Sequence, residues 1–350
     1  MGTAEIIMGR KPSTNKNLPP HMRKRVQRSG KAYYYLDTGK SPRKEIALGD
    51  DFILALRKYT ELHQVAPTTA SILFGSVIDK YMAERLPDLS ANTQKTHSSD
   101  MKHLRAFFAT APLDQIKPRH IQLFIEKHTD KPTTANRCKR LFSTLWNNAR
   151  GWGYTDLENP CTGIIGLSIQ RRTEYITDAV FKAVRDCASA PLQDAIDLAY
   201  LTGQRPADAL KMCSSDLIDG MLVLSQGKTK KRLRIAVTGE LAELLGKIVV
   251  RKAQHKIVHA QLLMNRDGKP MTQPALRSHF DRARLKAIDR HPKLAEQIKN
   301  FRFYDLRAKA ADDTSDNRGE QAASDLLGHD NVKTTQRHYL RRGKIVAPTR

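Results

Sequence analysis

The stretch LLGHDNVKTTQRHYL, residues 326–340, lies near the C-terminal end of a 350-residue chain. It places His329 directly after a glycine and Tyr339 ten residues later, on an otherwise polar background. Taken alone, such a stretch is typical of a surface helix with one half-buried ring. Whether His329 and Tyr339 have a chemical role therefore depends on which other reactive side chains the sequence supplies.

The charge of the chain indicates a polyanionic partner. Sixty Lys and Arg residues against 36 Asp and Glu residues give a formal net charge of +24, and the basic excess is spread along the whole sequence. Such a protein is expected to bind nucleic acid, although composition does not separate DNA from RNA. With 40% hydrophobic residues, the chain is long enough to fold as two or three domains.

Several classes of protein are disfavoured. The sequence contains no apolar run long enough for a membrane span and no apolar signal core near residue 1, so we expect a cytoplasmic, nucleoid-associated protein without a membrane partner. The four cysteines are scattered without CxxC spacing, which predicts neither a metal site nor a disulfide framework. The GKT at 227–229 resembles the end of a phosphate-binding loop, but Leu222 stands where that loop requires glycine. We expect no cofactor.

Residues 1–64 predict a small β-rich module. Short strand-like runs at 23–28, 31–37 and 43–49 are separated by turn sequences, and residues 50–63 have the pattern of a helix. Three strands and a helix suit a sheet that reads a DNA groove. The alternative is a plain cap in which Tyr33, Tyr34 and Tyr35 are core and edge residues.

Residues 65–163 predict a four-helix bundle. Apolar side chains recur at helical spacing within 74–81, 101–108, 121–125 and 138–149, and Ser90 is suited to cap the second of these helices. Basic residues on the exposed faces could bind the phosphate backbone, although solvated basic faces are common. The segment TDLENPCTG, residues 155–163, ends the helical pattern.

Residues 164–350 predict a mixed α+β domain. Thr177 is a suitable N-cap, residues 191–201 resemble a buried helix, and MLVLSQGKTKKRLRIAV (221–237) predicts a β-hairpin around a Gly-Lys turn. Helical patterns return from Leu276 onward. The whole chain is therefore expected to be multidomain and mainly α-helical, with small β-sheets.

Four stretches of this third segment carry candidate reactive side chains. They are TGQRPADAL, the hairpin QGKTKKRLRIAV, YDLRAKAA and the quoted C-terminal stretch, which offer Arg205, Lys228, Arg307, His329 and Tyr339. Pro206 is well placed to begin a helix and to hold the residue before it.

Each candidate also has a purely structural interpretation. Arg205 could pair with Asp208, Lys228 could lie in a solvated turn, and Arg307 could pair with a local acid such as Asp305 or Asp312.

Together these groups suit phosphoryl transfer on DNA. Two guanidiniums can clamp a phosphate and stabilise the charge that develops on its oxygens. A deprotonated phenol is a capable nucleophile, a nearby histidine can donate to an oxygen or help move the proton, and a lysine can protonate the departing sugar oxygen. Such a set of groups can cut a DNA strand and retain the energy of the broken phosphodiester bond in a phosphotyrosine linkage.

In their order, these stretches resemble the tyrosine recombinases, the family of lambda-type phage integrases. The resemblance implies that Arg205, Lys228, Arg307 and His329 activate the phosphate and that Tyr339 is the nucleophile. It also implies an arm-type DNA-binding domain over 1–64, a core-site-binding domain over 65–163 and a catalytic domain over 164–350.

Two positions depart from the family pattern. Tyr304 stands three residues before Arg307, where the family usually has histidine. Many members have the nucleophile one residue earlier, where this chain has His338; Tyr339 is kept because it is the only tyrosine after Tyr304. On the hairpin, Lys230 and Lys231 are rivals of Lys228 for protonating the leaving group.

The resemblance predicts a site-specific recombinase of a phage or mobile element. It would bind inverted core sites and arm-type sites on double-stranded DNA, form a homo-tetramer, and exchange strands through 3′-phosphotyrosyl intermediates and a Holliday junction, without metal or nucleotide. A DNA-bending host factor and a directionality factor are possible partners, and the tail RRGKIVAPTR (341–350) would pack on a neighbouring subunit. The alternatives are a type IB-like topoisomerase, which the apparent arm-binding module disfavours, and a catalytically silent DNA-binding regulator.

Overall fold

The computed structural model describes residues 18–39, 44–63, 72–254, 259–343, 346 and 348–349. The chain divides into two compact units, residues 1–170 and 171–350. The predicted boundary between residues 64 and 65 lies outside the described residues.

The first unit begins with a three-stranded antiparallel sheet and one helix, as the sequence predicts. The strands β1 (Met22–Val26), β2 (Ala32–Asp37) and β3 (Glu45–Gly49) pair in chain order, and α1 (Phe52–His63) packs on them. Tyr34 faces the small core, while Tyr33 and Tyr35 are partly exposed and lie near Lys31 and Arg25. Successive side chains of a strand point to opposite faces, which separates Tyr34 from its two neighbours, and the register of β2 against β3 shifts between Tyr34 and Tyr35.

Four further α-helices in the described ranges of the first unit confirm the predicted bundle. They are α2 (Phe74–Glu84), α3 (Ala91–Phe108), α4 (Pro118–Glu126) and α5 (Pro132–Gly151). Stacked and edge-on rings of Phe74, Phe108 and Phe142 form the centre of the core. Ser90 caps α3 by accepting a hydrogen bond from the backbone of Thr93.

The chain remains on this bundle past the predicted boundary at residue 163. The Asn136 side chain on α5 donates to the Leu167 carbonyl at 2.7 Å and accepts from the Leu167 amide at 2.8 Å. Lys139 Nζ likewise donates to the carbonyl of Ile164.

A buried polar joint connects α1 to the bundle. Asp51 caps α1 through Oδ1, and its Oδ2 accepts from His120 Nε2 at 2.7 Å, while His120 Nδ1 accepts from the Lys117 amide. Burial, followed by the charges of Arg119 and Lys117, lowers the pKa of His120 to about 4. His120 is therefore neutral at pH 7, with its proton on Nε2 facing the carboxylate.

The second unit is mixed α+β. Its helices are α6 (Asp178–Asp186), α7 (Ala190–Thr202), α8 (Pro206–Ala209), α9 (Gly239–Ala253), α10 (Gln273–Arg290), α11 (Ala295–Asn300), α12 (Asp305–Arg318), α13 (Glu320–Leu327) and α14 (Val332–His338). The strands β4 (Leu217–Ile218), β5 (Met221–Ser225) and β6 (Arg232–Ala236) form an antiparallel sheet that contains the predicted hairpin. Thr177 caps α6 as predicted.

None of the helices in the described ranges has both the length and the apolar character that a membrane crossing requires.

Candidate active site

Glycine at position 203 lets two distant segments meet. The backbone of Gly203 ends α7 in the left-handed region, with φ of 64°. A side chain there would stand 3.1 Å from the side chains of Leu326 and Leu327 at the end of α13. Glycine is therefore required by both conformation and space, and it brings the end of α13 against the loop that carries Arg205.

Arg205 is held in the last extended position before α8. Pro206 begins this short helix, as predicted, and Arg205 is mostly buried, with 15% of its side chain exposed. Its Nη1 donates to Gln226 Oε1 at 3.2 Å and lies 3.7 Å from Asp208 Oδ2. The pairing with Asp208 is thus present but long, because the other oxygen of this carboxylate accepts the Gly227 amide at 2.8 Å.

Arg307 lies on α12 and is almost completely buried. Its guanidinium donates to the carbonyls of Gly203 at 2.7 Å and Leu327 at 2.8 Å, and to His329 Nε2 at 3.2 Å. The alternative pairing with Asp305 or Asp312 is wrong, because these carboxylates bind other groups. Arg307 Nε is buried and has no hydrogen-bond partner among the described residues.

Two buried glutamines, to which the sequence assigned no role, join the Arg205 loop, the base of the hairpin and the end of α13. Gln226 Nε2, at the base of the hairpin, donates to Gln204 Oε1 at 2.8 Å and to the Leu327 carbonyl at 2.9 Å. Gln204 Nε2 donates to the Leu326 carbonyl at 3.0 Å. In the sequence, the only indication of their role is that Gln204 and Gln226 lie within the quoted motifs TGQRPADAL and QGKTKKRLRIAV.

His329 is oriented by Thr335, another residue that the sequence did not indicate. The His329 Nδ1 lies 2.7 Å from Thr335 Oγ1, and Nε2 accepts from Arg307. A guanidinium can only donate, so the proton of the ring is assigned to Nδ1. Burial, followed by the charges of Arg307, Arg205 and Lys231, lowers the pKa of His329 to about 4. The ring is therefore neutral at pH 7, with its Nε2 lone pair facing the pocket.

Tyr339 follows α14 directly and lies in this pocket. Tyr339 is 8% exposed, and its ring centroid lies 5.0 Å from that of His329 and 5.1 Å from Arg307 Cζ. The neighbouring His338 is exposed. The helix phase thus turns Tyr339 inward and leaves His338 outside the pocket.

The two phenols of the pocket share a hydrogen bond. The hydroxyls of Tyr304 and Tyr339 are 3.1 Å apart, although 46% of the Tyr304 surface is exposed. Burial and the contact with Tyr339 raise the pKa of Tyr304 to about 12. Burial also raises the pKa of Tyr339, but the hydrogen bond from Tyr304 and the charges of Arg307 and Arg205 outweigh it and lower the net value. Tyr304 is therefore the donor when Tyr339 ionises.

The structure does not bring Lys228 to these groups. Lys228 is exposed at the hairpin tip, and no hydrogen bond or ion pair joins it to the rest of the described chain. Lys231 instead pairs with Asp330, beside His329, at 2.7 Å. Lys230 occupies a left-handed backbone position, with φ of 59°. Which lysine serves the leaving group stays a prediction.

The fold and the pocket together are those of a DNA strand transferase that uses a tyrosine. Residues 172–344 match the model of the phage integrase family. Residues 172–344 therefore form a domain of the phage integrase family, the tyrosine recombinases.

The likeness to relatives extends over nearly the whole chain. The integrase of Escherichia phage lambda is 26% identical over 346 residues, which cover 92% of this chain and 94% of the relative. Two solved structures have a TM-score of 0.67 and cover 95% of this chain and 98% of theirs. They are a lambda integrase dimer bound to a COC′ core site, 22% identical, and a lambda integrase tetramer bound to a Holliday junction, 21% identical.

Proposed function

We propose that this site-specific recombinase cleaves DNA with Tyr339 and that Arg205, Arg307 and His329 activate the scissile phosphate. The observation that carries the assignment is the position of the Tyr339 hydroxyl, which a helix end holds beside two guanidiniums, a neutral imidazole and a second phenol. The charges of Arg307 and Arg205 favour the phenolate, which is the reactive form of a tyrosine nucleophile.

The reaction is a transesterification. The Tyr339 oxygen attacks phosphorus, the bond to the 5′ oxygen breaks, and a 3′-phosphotyrosine forms. We assign the phenolic proton to the neutral His329, whose ring centroid lies 5.0 Å from that of Tyr339, and a hairpin lysine gives a proton to the departing oxygen. Arg205 and Arg307 stabilise the charge on the non-bridging oxygens, and loss of one such contact typically costs about 10²–10³ in rate. Attack by the 5′ hydroxyl of another strand reverses the step and completes the exchange.

The proposed assembly is supported by the solved complexes of lambda integrase. A homo-tetramer that passes through a Holliday junction and binds core-type sites is the assembly that the solved lambda integrase complexes support. We assign residues 1–64 to arm-type sites, residues 65–163 to the core site and residues 164–350 to catalysis. A DNA-bending host factor and a directionality factor are further proposed partners.

A pool of nicked duplexes tests the assignment. Each duplex carries one nick beside randomised inverted repeats, so that cleavage releases a short fragment and traps the protein on DNA. We expect wild-type protein to form an SDS-resistant adduct, and sequencing of the trapped DNA to return a core site. Tyr339→Phe lacks only the phenolic oxygen, so it should bind the recovered site with wild-type affinity and form no adduct.

The outcomes separate the alternatives. Adduct formation by Tyr339→Phe would move the nucleophile to another residue, with Tyr304 the next candidate. Adducts without any sequence preference would favour a relaxing topoisomerase, and tight binding without adduct would favour a silent regulator.

A further inference from the structure

The chain immediately after Tyr339 is bound to a buried carboxylate. The backbone amides of Arg341 and Arg342 both donate to Asp312 Oδ1, at 2.8 and 3.1 Å. Asp312 lies in the middle of α12 and is 2% exposed. Two amides on one buried oxygen fix the path of the backbone two and three residues beyond the nucleophile.

The Arg341 side chain makes a second attachment to the same helix. Its Nη1 donates to Asp305 Oδ1 at 2.9 Å and to the Glu174 carbonyl at 3.0 Å, and only 6% of the side chain is exposed. Asp305 is the first residue of α12, is 1% exposed and also accepts from Arg172 at 2.8 Å. A buried carboxylate shared by two guanidiniums is a strong, directional contact.

Both attachment points lie on the helix that carries the pocket. Asp305 stands between Tyr304 and Arg307 along the chain. The segment before Tyr339 is tied as well, because the amides of Tyr339 and Leu340 donate to the Thr335 carbonyl at 2.8 and 3.1 Å. The backbone is thus fixed on both sides of Tyr339.

We propose that Asp312, Asp305 and Arg341 are positioning residues that anchor the C-terminal segment in cis and keep Tyr339 in the pocket of its own subunit. This inference rests on the proposed role of Tyr339 as nucleophile. It differs from the expectation that the whole tail from residue 341 packs on a neighbour, because Arg341 and Arg342 are bound to their own subunit.

The experiment measures single-turnover adduct formation on the nicked core site recovered from the pool. At saturating DNA, Arg341→Ala should slow adduct formation by on the order of 10- to 100-fold, because small misplacements of a reacting group cost that much. Its Kd for the same DNA should equal that of wild type. This separation of rate from binding distinguishes positioning from general damage to the fold.

A second variant addresses the other attachment. Asp312→Ala should slow the adduct comparably, and hydrogen exchange at the amides of residues 341 and 342 should become fast while the rest of the unit stays protected. Asp312→Asn keeps an acceptor oxygen for the two amides and should recover most of the lost rate. It also serves if the alanine variant does not fold, since full activity with fast exchange at these amides would contradict the anchor.

The matched control is Arg318→Ala, which removes an exposed arginine from the same helix. It should react at the wild-type rate. Adduct formation by Arg341→Ala or Asp312→Ala at or above the wild-type rate overturns the proposal, as does an equal loss in Arg318→Ala. Absence of adduct in wild-type protein would instead contradict the role of Tyr339, so the two failures are distinguishable.

Discussion

At the scale of single residues, Tyr304 is the position at which this pocket differs most from the family pattern. A histidine there would share the phosphate or proton-handling work. The phenol instead contacts Tyr339, the proposed nucleophile, with the two hydroxyls 3.1 Å apart. Because its pKa is raised to about 12, Tyr304 stays protonated at pH 7 and can donate to the Tyr339 phenolate.

We expect Tyr304→Phe to slow adduct formation by about tenfold, equivalent to about 1.4 kcal/mol of barrier. Loss of the donor removes one cause that lowers the pKa of Tyr339, so the alkaline rise of the rate should move to higher pH. Tyr304→His, which restores a donor, should be tolerated. The measurement is single-turnover cleavage by the three proteins across a pH series. An unchanged pH profile in Tyr304→Phe would exclude this role.

The sequence predicted the candidate reactive side chains but not the groups that orient them. Arg205 and His329 have glycine or proline neighbours that restrict the backbone, and the order of the motifs with Arg307 and Tyr339 resembles that of the recombinases, so their convergence could be predicted. Thr335 could not, because a threonine within a helical heptapeptide has no distinguishing pattern until the fold places its hydroxyl 2.7 Å from His329.

At the scale of elements, the β5–β6 hairpin carries the three candidate lysines, Lys228, Lys230 and Lys231. Its base is fixed by Gln226, which is fully buried, whereas its tip is exposed and carries Lys228. The sequence predicted the hairpin because strand-like runs flank a Gly-Lys turn. It could not predict the position of the tip, since an exposed turn has few contacts that define it.

A substrate with a 5′-bridging phosphorothiolate identifies the lysine that protonates the leaving group. Sulfur departs without a proton, so a variant that lacks the general acid should be restored on this substrate, while other defects persist. We expect Lys228→Ala to be strongly restored. Lys231→Ala should be slowed little on either substrate, because Lys231 is engaged by Asp330. Restoration confined to Lys230→Ala or Lys231→Ala would reassign the role.

At the scale of the whole molecule, the first unit is more continuous than the predicted division at residue 64 implies. The sequence correctly indicated a β-rich module followed by a bundle, because the period of the apolar residues changes between them. It did not reveal that Ile53 of α1 belongs to the bundle core or that Asp51 binds His120. Such long-range contacts leave no local pattern. Helix α1 therefore stabilises the bundle as well as the sheet.

Two N-terminal deletions separate DNA recognition from this structural role. Deletion of residues 1–49 removes the sheet and a net charge of +8 but keeps Asp51 and Ile53. It should preserve adduct formation on the core site, abolish binding to a second class of site and flatten the salt dependence of total DNA binding.

Deletion of residues 1–64 should have the same effects on DNA and also destabilise the bundle by at least about 1–3 kcal/mol, because His120 loses its buried acceptor. Urea unfolding of the two proteins measures this difference. Equal stability would show that α1 does not support the bundle, and full arm-site binding by either protein would place that recognition elsewhere in the chain.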